Sequence, residues 1–505
     1  MSAGTAMPLH RLVEDLNLAS PSPEHRDVEV LGVACDSRLV ERGDLFVAVS
    51  GDRFDGRHFA AAAVQAGAVA VVGDGDAPDS WPREIPWLSA SDPRSLLGPL
   101  ACRAEGHPDS ELVTAGVTGT NGKSTVTALT AAIFDAAGLP AGCVGTLENR
   151  FRDLSFPRRR TTPEAPELFR MLRRMADAGA AAAALEISSH ALELGRVAGL
   201  TLNAAAFTNL TRDHFDFHRD FESYFGAKAR IFGHLESGGR AVVPAAEPWG
   251  PRLLQRLPES VAQRAVTWGE GGAVRVERRS LHAGGIEAQL ATPAGSVELV
   301  SPLVGAFHLE NLTVATAIAV ALELPLAAIR QGIGTVGPLP GRLQPVRCEE
   351  DVPVRVFVDF AHTDAALRAA LEALRELVDG DIVLVFGCGG DRDPGKRPLM
   401  GQVAGELATL PILTSDNPRS EDPQAIIREV EVGLKASANP HYRVVPDRRE
   451  AIQRAVRVAP EGSVILLAGK GAETTQTIGD QVLPFSDADE ARKALEERFG
   501  RARCG

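Results

Sequence analysis

Apolar residues in this chain fall into short runs separated by stretches at helical spacing, and their alternation predicts most of the framework. Val28–Ala34, Leu45–Ala48 and Ala68–Val72 read as strands, with His58–Ala66 a helix leading into the last of them. Leu112–Val117 reads as a buried strand and Val126–Ala137 as a helix, joined by a glycine-rich turn. A helix at Leu168–Ala178 and strands at Ala181–Ile187 and Ala204–Thr208 continue the pattern, which predicts a mostly parallel sheet with helices on both faces. Between Ala241 and Gly305 the period shortens to alternating strands, expected to form an antiparallel side sheet, before a helix at Asn311–Leu322. The pattern restarts at Val354–Asp359 and continues through Ile382–Gly387, Ile412–Thr414 and Val464–Ala468, a second doubly wound unit. His107-Pro108-Asp109 and Pro338-Leu339-Pro340-Gly341 read as linkers. The expected fold class is therefore α/β in three domains, at residues 1–108, 109–338 and 339–505.

Composition narrows the function classes. The 505 residues are 44% hydrophobic and 24% charged, as in an ordinary soluble globular protein. The alanine run near Ala178–Ala184 is broken by Gly179 and followed by Glu186, so it is not expected to span a membrane. The first twenty residues hold no apolar signal core, so a cytoplasmic location is expected. Six scattered cysteines with no C-x-x-C pair point to free thiols in a reducing compartment rather than disulfides or a zinc site. A net charge of −13 argues against nucleic acid as a partner. It also requires any anionic substrate to be held by local basic groups.

The chemistry centres on Gly116-Val117-Thr118-Gly119-Thr120-Asn121-Gly122-Lys123-Ser124-Thr125. Strand, glycine turn and helix make a phosphate cradle, because backbone N–H groups and the helix N-terminus converge on one anion. Lys123 would reach terminal phosphates and the Ser124 hydroxyl would ligate Mg²⁺. Val117 stands where the strict motif has glycine, and G-K-S alone is weak evidence; an ordinary strand–helix turn is the competing reading. Glu186 ends a buried strand and is suited to Mg²⁺, although the Ser188-Ser189-His190 context also fits a helix cap. His214, between Asp213 and Asp216, reads as a metal or phosphate residue or as an exposed turn. Lys228 lies on an amphipathic helix, where a solvated face is the simplest expectation. Near the C-terminus, Gly389-Gly390-Asp391-Arg392, Asp416-Asn417-Pro418-Arg419 and Gly469-Lys470-Gly471-Ala472-Glu473 each follow a strand. Together they would make a mixed-charge pocket suited to a zwitterion such as an amino acid; apart, they are unrelated turns.

Taken in order, T-G-T-N-G-K-S-T, T-T-P-E, E-I-S-S-H, T-N-L-T-R-D-H, G-C-G-G-D-R-D-P-G-K-R-P and D-N-P-R resemble the Mur ligases, ATP-dependent amide-forming enzymes of peptidoglycan synthesis. The resemblance covers nearly the whole chain and lies nearest the members that add the third amino acid. It implies a uridine-nucleotide domain, a central ATP-binding P-loop domain and a Rossmann-like amino-acid domain. It implies ATP and Mg²⁺, the nucleotide precursor UDP-N-acetylmuramoyl-L-alanyl-D-glutamate, an incoming amino acid and a monomer. The ATP side would comprise Gly119 to Thr125 with Asn311, Arg342 and Asp359. Ser124 and Glu186 would serve one Mg²⁺ and His214 a second, a CO₂-carbamylated Lys228 would add a metal-binding anion, and Lys123, Glu186, His214 and Lys228 would carry catalysis. Ser37, Arg38, Thr161, Thr162, Ser188 and Arg196 match positions facing the nucleotide precursor. Arg392, Asp416, Asn417, Pro418, Arg419, Gly469 and Glu473 match the amino-acid pocket, and the arginine of D-N-P-R matches enzymes that take meso-diaminopimelate rather than L-lysine.

The sequence departs from the family pattern at His308, usually asparagine, at Phe360 and Asp364 in D-F-A-H-T-D, at Leu194, and at Ala472, usually histidine. Other readings remain at this level: the same ligase with L-lysine or another diamino acid, a folylpolyglutamate synthase-like ligase, a P-loop switch or motor, or a non-catalytic scaffold. The folate reading leaves Asp36-Ser37-Arg38 and D-N-P-R without a role. The switch reading leaves the second pocket unexplained, and intact Lys123, Glu186, His214 and Lys228 argue against the scaffold.

Overall fold

The alternation of buried runs is realised as three successive α/β units in a computed structural model, which describes residues 6–51, 55–246, 248–347, 352–437 and 439–500. Asp52-Arg53-Phe54, between the expected strand that ends near Ala48 and the expected helix at His58–Ala66, lie outside the described residues. The first unit carries a four-stranded parallel sheet of Gly32–Ala34, Asp44–Val47, Ala70–Gly73 and Trp87–Ser89. The expected helix after Arg57 begins as a 3-10 turn, Gly56–Phe59, and becomes α-helical only over Ala60–Ala66.

The central unit is built on an eight-stranded sheet. Its middle strand, Val113–Thr118, pairs in parallel with Ala182–Glu186 on one side and Leu202–Phe207 on the other. Ala182, Ala183 and Ala184 are fully buried, small enough for helices to pack on both faces. Gly116 belongs to the strand rather than the turn, since a Cβ there would stand 2.7 Å from Leu202 and 2.8 Å from Ile187. The antiparallel side sheet is smaller than the pattern suggests. It comprises Arg275–His282, Gly285–Thr292 and Gly295–Ser301. Leu235–Pro244 and Val266–Trp268 instead extend the main sheet in parallel, because Val242 and Val243 are buried on both faces rather than alternating.

The third unit holds a six-stranded sheet with Arg355–Asp359, Val464–Ala468, Ile382–Phe386 and Leu410–Leu413 running parallel. Beneath its site-bearing edge, Arg448 and Asp487 form a fully buried bidentate pair at 2.6 and 2.7 Å, and Arg448 also donates to Ala468 O at 2.9 Å. That contact fixes the carbonyl just ahead of Gly469. The strand ends of the central and third units face each other, which is where ligands sit in parallel sheets. Three contacts hold them there: Arg342 to Ser124 Oγ (2.8 Å), Arg212 to Asp393 (3.0 Å) and His362 to Asp213 (3.4 Å). Among the described residues no helix is long and apolar enough to cross a membrane.

Candidate active site

Gly119 and Gly122 take backbone angles that L side chains avoid, φ +143° and +86°. A Cβ at Gly119 would lie 1.9 Å from Thr208 Oγ1, and one at Gly122 2.3 Å from Asn311 Oδ1. The loop is braced by the neighbouring strand end: Thr120 N–H donates to Asn209 O, Asn121 N–H to Asn209 Oδ1, and Thr208 Oγ1 to Asn121 O (2.9, 2.9 and 2.6 Å). Lys123 folds over this loop and donates to Gly119 O and Thr120 O at 3.0 and 2.8 Å. Burial lowers its pKa, opposed by the charges of Glu186 and Asp213.

Glu186 accepts from Thr146 N–H and Oγ1 on one oxygen, at 2.8 and 2.6 Å, while its other oxygen, Oε1, is buried without a partner. Thr162 Oγ1 caps the Glu186 carbonyl at 2.8 Å and accepts from Ser188 N–H at 3.0 Å. Burial drives the His214 pKa down to about 2, so its imidazole is neutral, with its Nε2 3.4 Å from the Asp213 carboxylate. His190 packs edge-on against it, with ring centroids 4.8 Å apart.

Lys228 corrects the solvated-face expectation. It is 1% exposed, donates to Gly119 O at 2.6 Å and lies over the Tyr224 ring at 4.4 Å. Its helix, Phe221–Ala229, turns that face inward because Tyr224, Phe225 and Ala227 are buried with it. Burial, reinforced by the nearby Lys123 charge, holds its amine well below the ordinary lysine pKa.

Across the cleft, the three C-terminal clusters form one network. Lys470 is fully buried and donates to Asn417 Oδ1, Glu473 Oε2 and Thr475 O at 3.2, 3.1 and 2.6 Å. Asn417 also donates to Glu473 Oε2 at 2.8 Å. Asp416 Oδ2 is buried without a partner, and desolvation raises its pKa. Arg419 sits at φ +53° and donates to Gly390 O at 2.6 Å. Burial and then Arg392 lower its pKa.

One cavity of ≈ 500 Å³ joins the two clusters. Thr120 to Thr125, Thr161, Ser188, His214, Lys228, Asn311, Arg342, Asp359, Arg392, Asp416, Asn417, Arg419, Gly469 and Glu473 line it. Glu186 lines an adjoining cavity of ≈ 420 Å³ that it shares with Ser124. Gly119 lies beneath the loop and Pro418 within its turn. Ser37, Arg38, Thr162 and Arg196 are not on the shared wall. Arg38 pairs with Asp36 at 2.6 Å and its side chain is 85% exposed, while Arg196 is held by Glu164 at 2.9 Å. No sequence motif assigns a role to Thr146, Asp213, His362 or Lys470. Thr146 was findable by the strand-end logic, since it follows the strand Ala141–Val144. Lys470, buried three residues before its partner Glu473, carries no comparable signal.

The chain belongs to the Mur ligase family. Models of the Mur ligase catalytic, middle and glutamate ligase domains match residues 29–104, 117–319 and 341–471 in turn. It is similar to the UDP-N-acetylmuramoyl-L-alanyl-D-glutamate--2,6-diaminopimelate ligases of Gloeobacter violaceus (41% identity, 98% of this chain and 99% of the relative) and Geobacter metallireducens (42%, 93% and 95%). A solved ligase of the same name superposes with a TM-score of 0.68 at 32% identity, covering 98% of this chain and 99% of the other. Folylpolyglutamate synthase from Mycobacterium tuberculosis shares the fold at 21% identity and a TM-score of 0.61.

His308, the departure from asparagine, is fully buried, with Nε2 3.4 Å from Arg342 O and Nδ1 3.4 Å from Asn311 Nδ2. Burial lowers its pKa to about 4 from 6.5. A histidine depressed in the folded state gives stability that is present above its unfolded pKa and lost as pH falls through the folded value. Between pH 6.5 and about 4 the unmodified chain should therefore lose up to about 3 kcal/mol relative to His308→Asn. Urea unfolding of both proteins across that window measures it, and parallel pH profiles would show that His308 is not buried as a neutral ring.

Proposed function

We propose that this chain ligates meso-diaminopimelate to UDP-N-acetylmuramoyl-L-alanyl-D-glutamate with cleavage of ATP to ADP and phosphate, in cytoplasmic synthesis of peptidoglycan precursor, as a monomer. The observation that carries the reading is that Lys123, Arg392, Asp416 and Arg419 all line one cavity. Relatives about 40% identical along nearly their full length bear the name of that activity. A carboxylate resists amine attack because oxide is a poor leaving group. ATP converts it to an acyl phosphate with release of ADP; the amine then adds, and the tetrahedral intermediate expels phosphate to leave the amide.

Residues of this chain supply positioning and positive charge for that sequence. Lys123 would leave its carbonyl contacts for the terminal phosphates, and Arg342, against Ser124 and stacked on Phe360 at 5.0 Å, would orient the nucleotide with Asn311 and Asp359. The donor types fit Mg²⁺: an orphaned Glu186 oxygen and the Ser124 hydroxyl line one cavity, and Ser124 and a neutral His214 imidazole line the adjoining one. Lys228 would join them as a carbamate, formed when its neutral amine adds CO₂ and loses a proton to solvent. Bound Mg²⁺ neutralises the approach of phosphate and carboxylate.

The buried, unpartnered Asp416 oxygen and Glu473 offer acceptors for an ammonium group, and Arg419 offers a planar fork for the distal carboxylate that L-lysine lacks. Lysine would leave that guanidinium desolvated and unpaired.

Phosphate release is expected only with ATP, the nucleotide dipeptide and meso-diaminopimelate together, with kcat/KM for meso-diaminopimelate exceeding that for L-lysine by roughly 10⁴-fold. Arg419→Ala should erase most of that ratio by weakening the better substrate. Rapid hydrolysis of ATP alone would favour a nucleotide switch, and an unchanged ratio in Arg419→Ala would remove that residue from substrate recognition.

Lys228→Ala should lower kcat by about 10²-fold or more, with partial recovery on adding short-chain carboxylic acids that replace the carbamate. Full activity without them would refute the carbamate role.

A further inference from the structure

One polar cluster is left unused by the ligase reading, where the chain crosses from the first unit to the second. Cys102 lies in the last turn of the helix Pro93–Ala104, and Asp109 in the 3-10 turn Pro108–Glu111, with His107 capping that turn. Cys102 Sγ is 3.3 Å from His107 Nδ1 and 3.3 Å from Asp109 Oδ1, and the three atoms lie within 4.8 Å of one another. Sulfur, nitrogen and oxygen ligands at about 2.3 and 2.0 Å from a tetrahedral ion stand about 3.5 Å apart. The two sulfur distances meet that spacing, and no two of the ligand atoms are more than 4.8 Å apart.

The supporting contacts resemble those that orient metal ligands. Asp109 Oδ2 accepts from Thr201 N–H at 2.9 Å, which turns Oδ1 toward the sulfur. His107 is held in the left-handed region at φ +55°, with its N–H on Cys102 O at 2.9 Å and its carbonyl accepting from Ser110 Oγ at 2.7 Å. A thiol donating to Asp109 accounts for that pair alone, and the imidazole nitrogen on the same sulfur adds a third atom of metal-ligand type. Cys102 and Asp109 are buried while His107 is exposed, which gives an entry path and an open fourth position for water. A thiolate, a carboxylate and a neutral imidazole also balance the charge of one divalent ion.

We propose that Cys102, His107 and Asp109 bind a borderline-soft divalent cation of the zinc class, clipping the first unit to the central one. The absence of a C-x-x-C pair hid it, because its ligands are one cysteine, one histidine and one carboxylate spread over eight residues. Thiolate with imidazole selects such an ion over Mg²⁺. On binding, the sulfur–metal bond forms as the S–H bond breaks, and the proton passes to solvent.

Co²⁺ is the probe, titrated into the full chain under a non-thiol reductant with excess Mg²⁺ to occupy hard-ligand sites. A near-ultraviolet thiolate-to-cobalt band should saturate at one equivalent, release one proton and bleach on adding Zn²⁺. Cys102→Ser should abolish the band, and His107→Ala should weaken Co²⁺ binding by at least about 10-fold. Circular dichroism checks that each variant folds, and exposed His107 keeps the test decisive if Cys102→Ser does not. No band in the unmodified chain, a band surviving in folded Cys102→Ser, or unchanged affinity in His107→Ala would overturn the proposal.

Discussion

Two lysine side chains converge on one carbonyl oxygen. Lys123 and Lys228 both donate to Gly119 O, at 3.0 and 2.6 Å, and both amines are driven below their ordinary pKa by burial. Two amines this close cannot both carry charge cheaply in a buried site, which favours a neutral Lys228 amine and leaves Lys123 to meet incoming negative charge. In a chain of net charge −13, local basic groups such as Lys123 and Arg342 are what admit a polyanion. The left-handed glycines, the bracing by Thr208 and Asn209 and the inward face of the Phe221–Ala229 helix all serve to keep these two amines where they are.

The second half of the site is contributed by a different unit, so the cavity exists only while the units face each other. Arg342 on Ser124, Arg212 on Asp393 and His362 near Asp213 span that boundary, and two of them involve the two residues just before His214. Closure and assembly of the phosphate site are thereby linked. On the far wall, Lys470 fills the role of an internal cation, fastening Asn417 and Glu473 so that Arg419 faces the cavity from a fixed turn.

Much of this was legible in the sequence because it lies at the ends of buried strands. Val113–Thr118, Ala182–Glu186 and Val464–Ala468 announce themselves as apolar runs, and Lys123, Glu186 and Gly469 follow directly. Lys228 was misread by pattern alone, since nothing local tells a buried lysine from a snorkelling one; only the docking of its helix against the loop decides. The sequence pattern overstates the side sheet because Leu235–Pro244 carries polar residues at its start and buried ones at its end. Asp213, Thr146 and Lys470 act through partners 40 or more residues away or through burial, neither of which a motif records.

The central claim is that the carboxylate becomes an acyl phosphate in the shared cavity. Its direct test is isotope transfer: supply the nucleotide dipeptide with ¹⁸O in its reacting carboxylate and analyse the phosphate released in a single turnover by mass spectrometry. One labelled oxygen should appear in the phosphate, because the carboxylate oxygen bonded to phosphorus leaves with it. Amide formation with unlabelled phosphate would contradict the account.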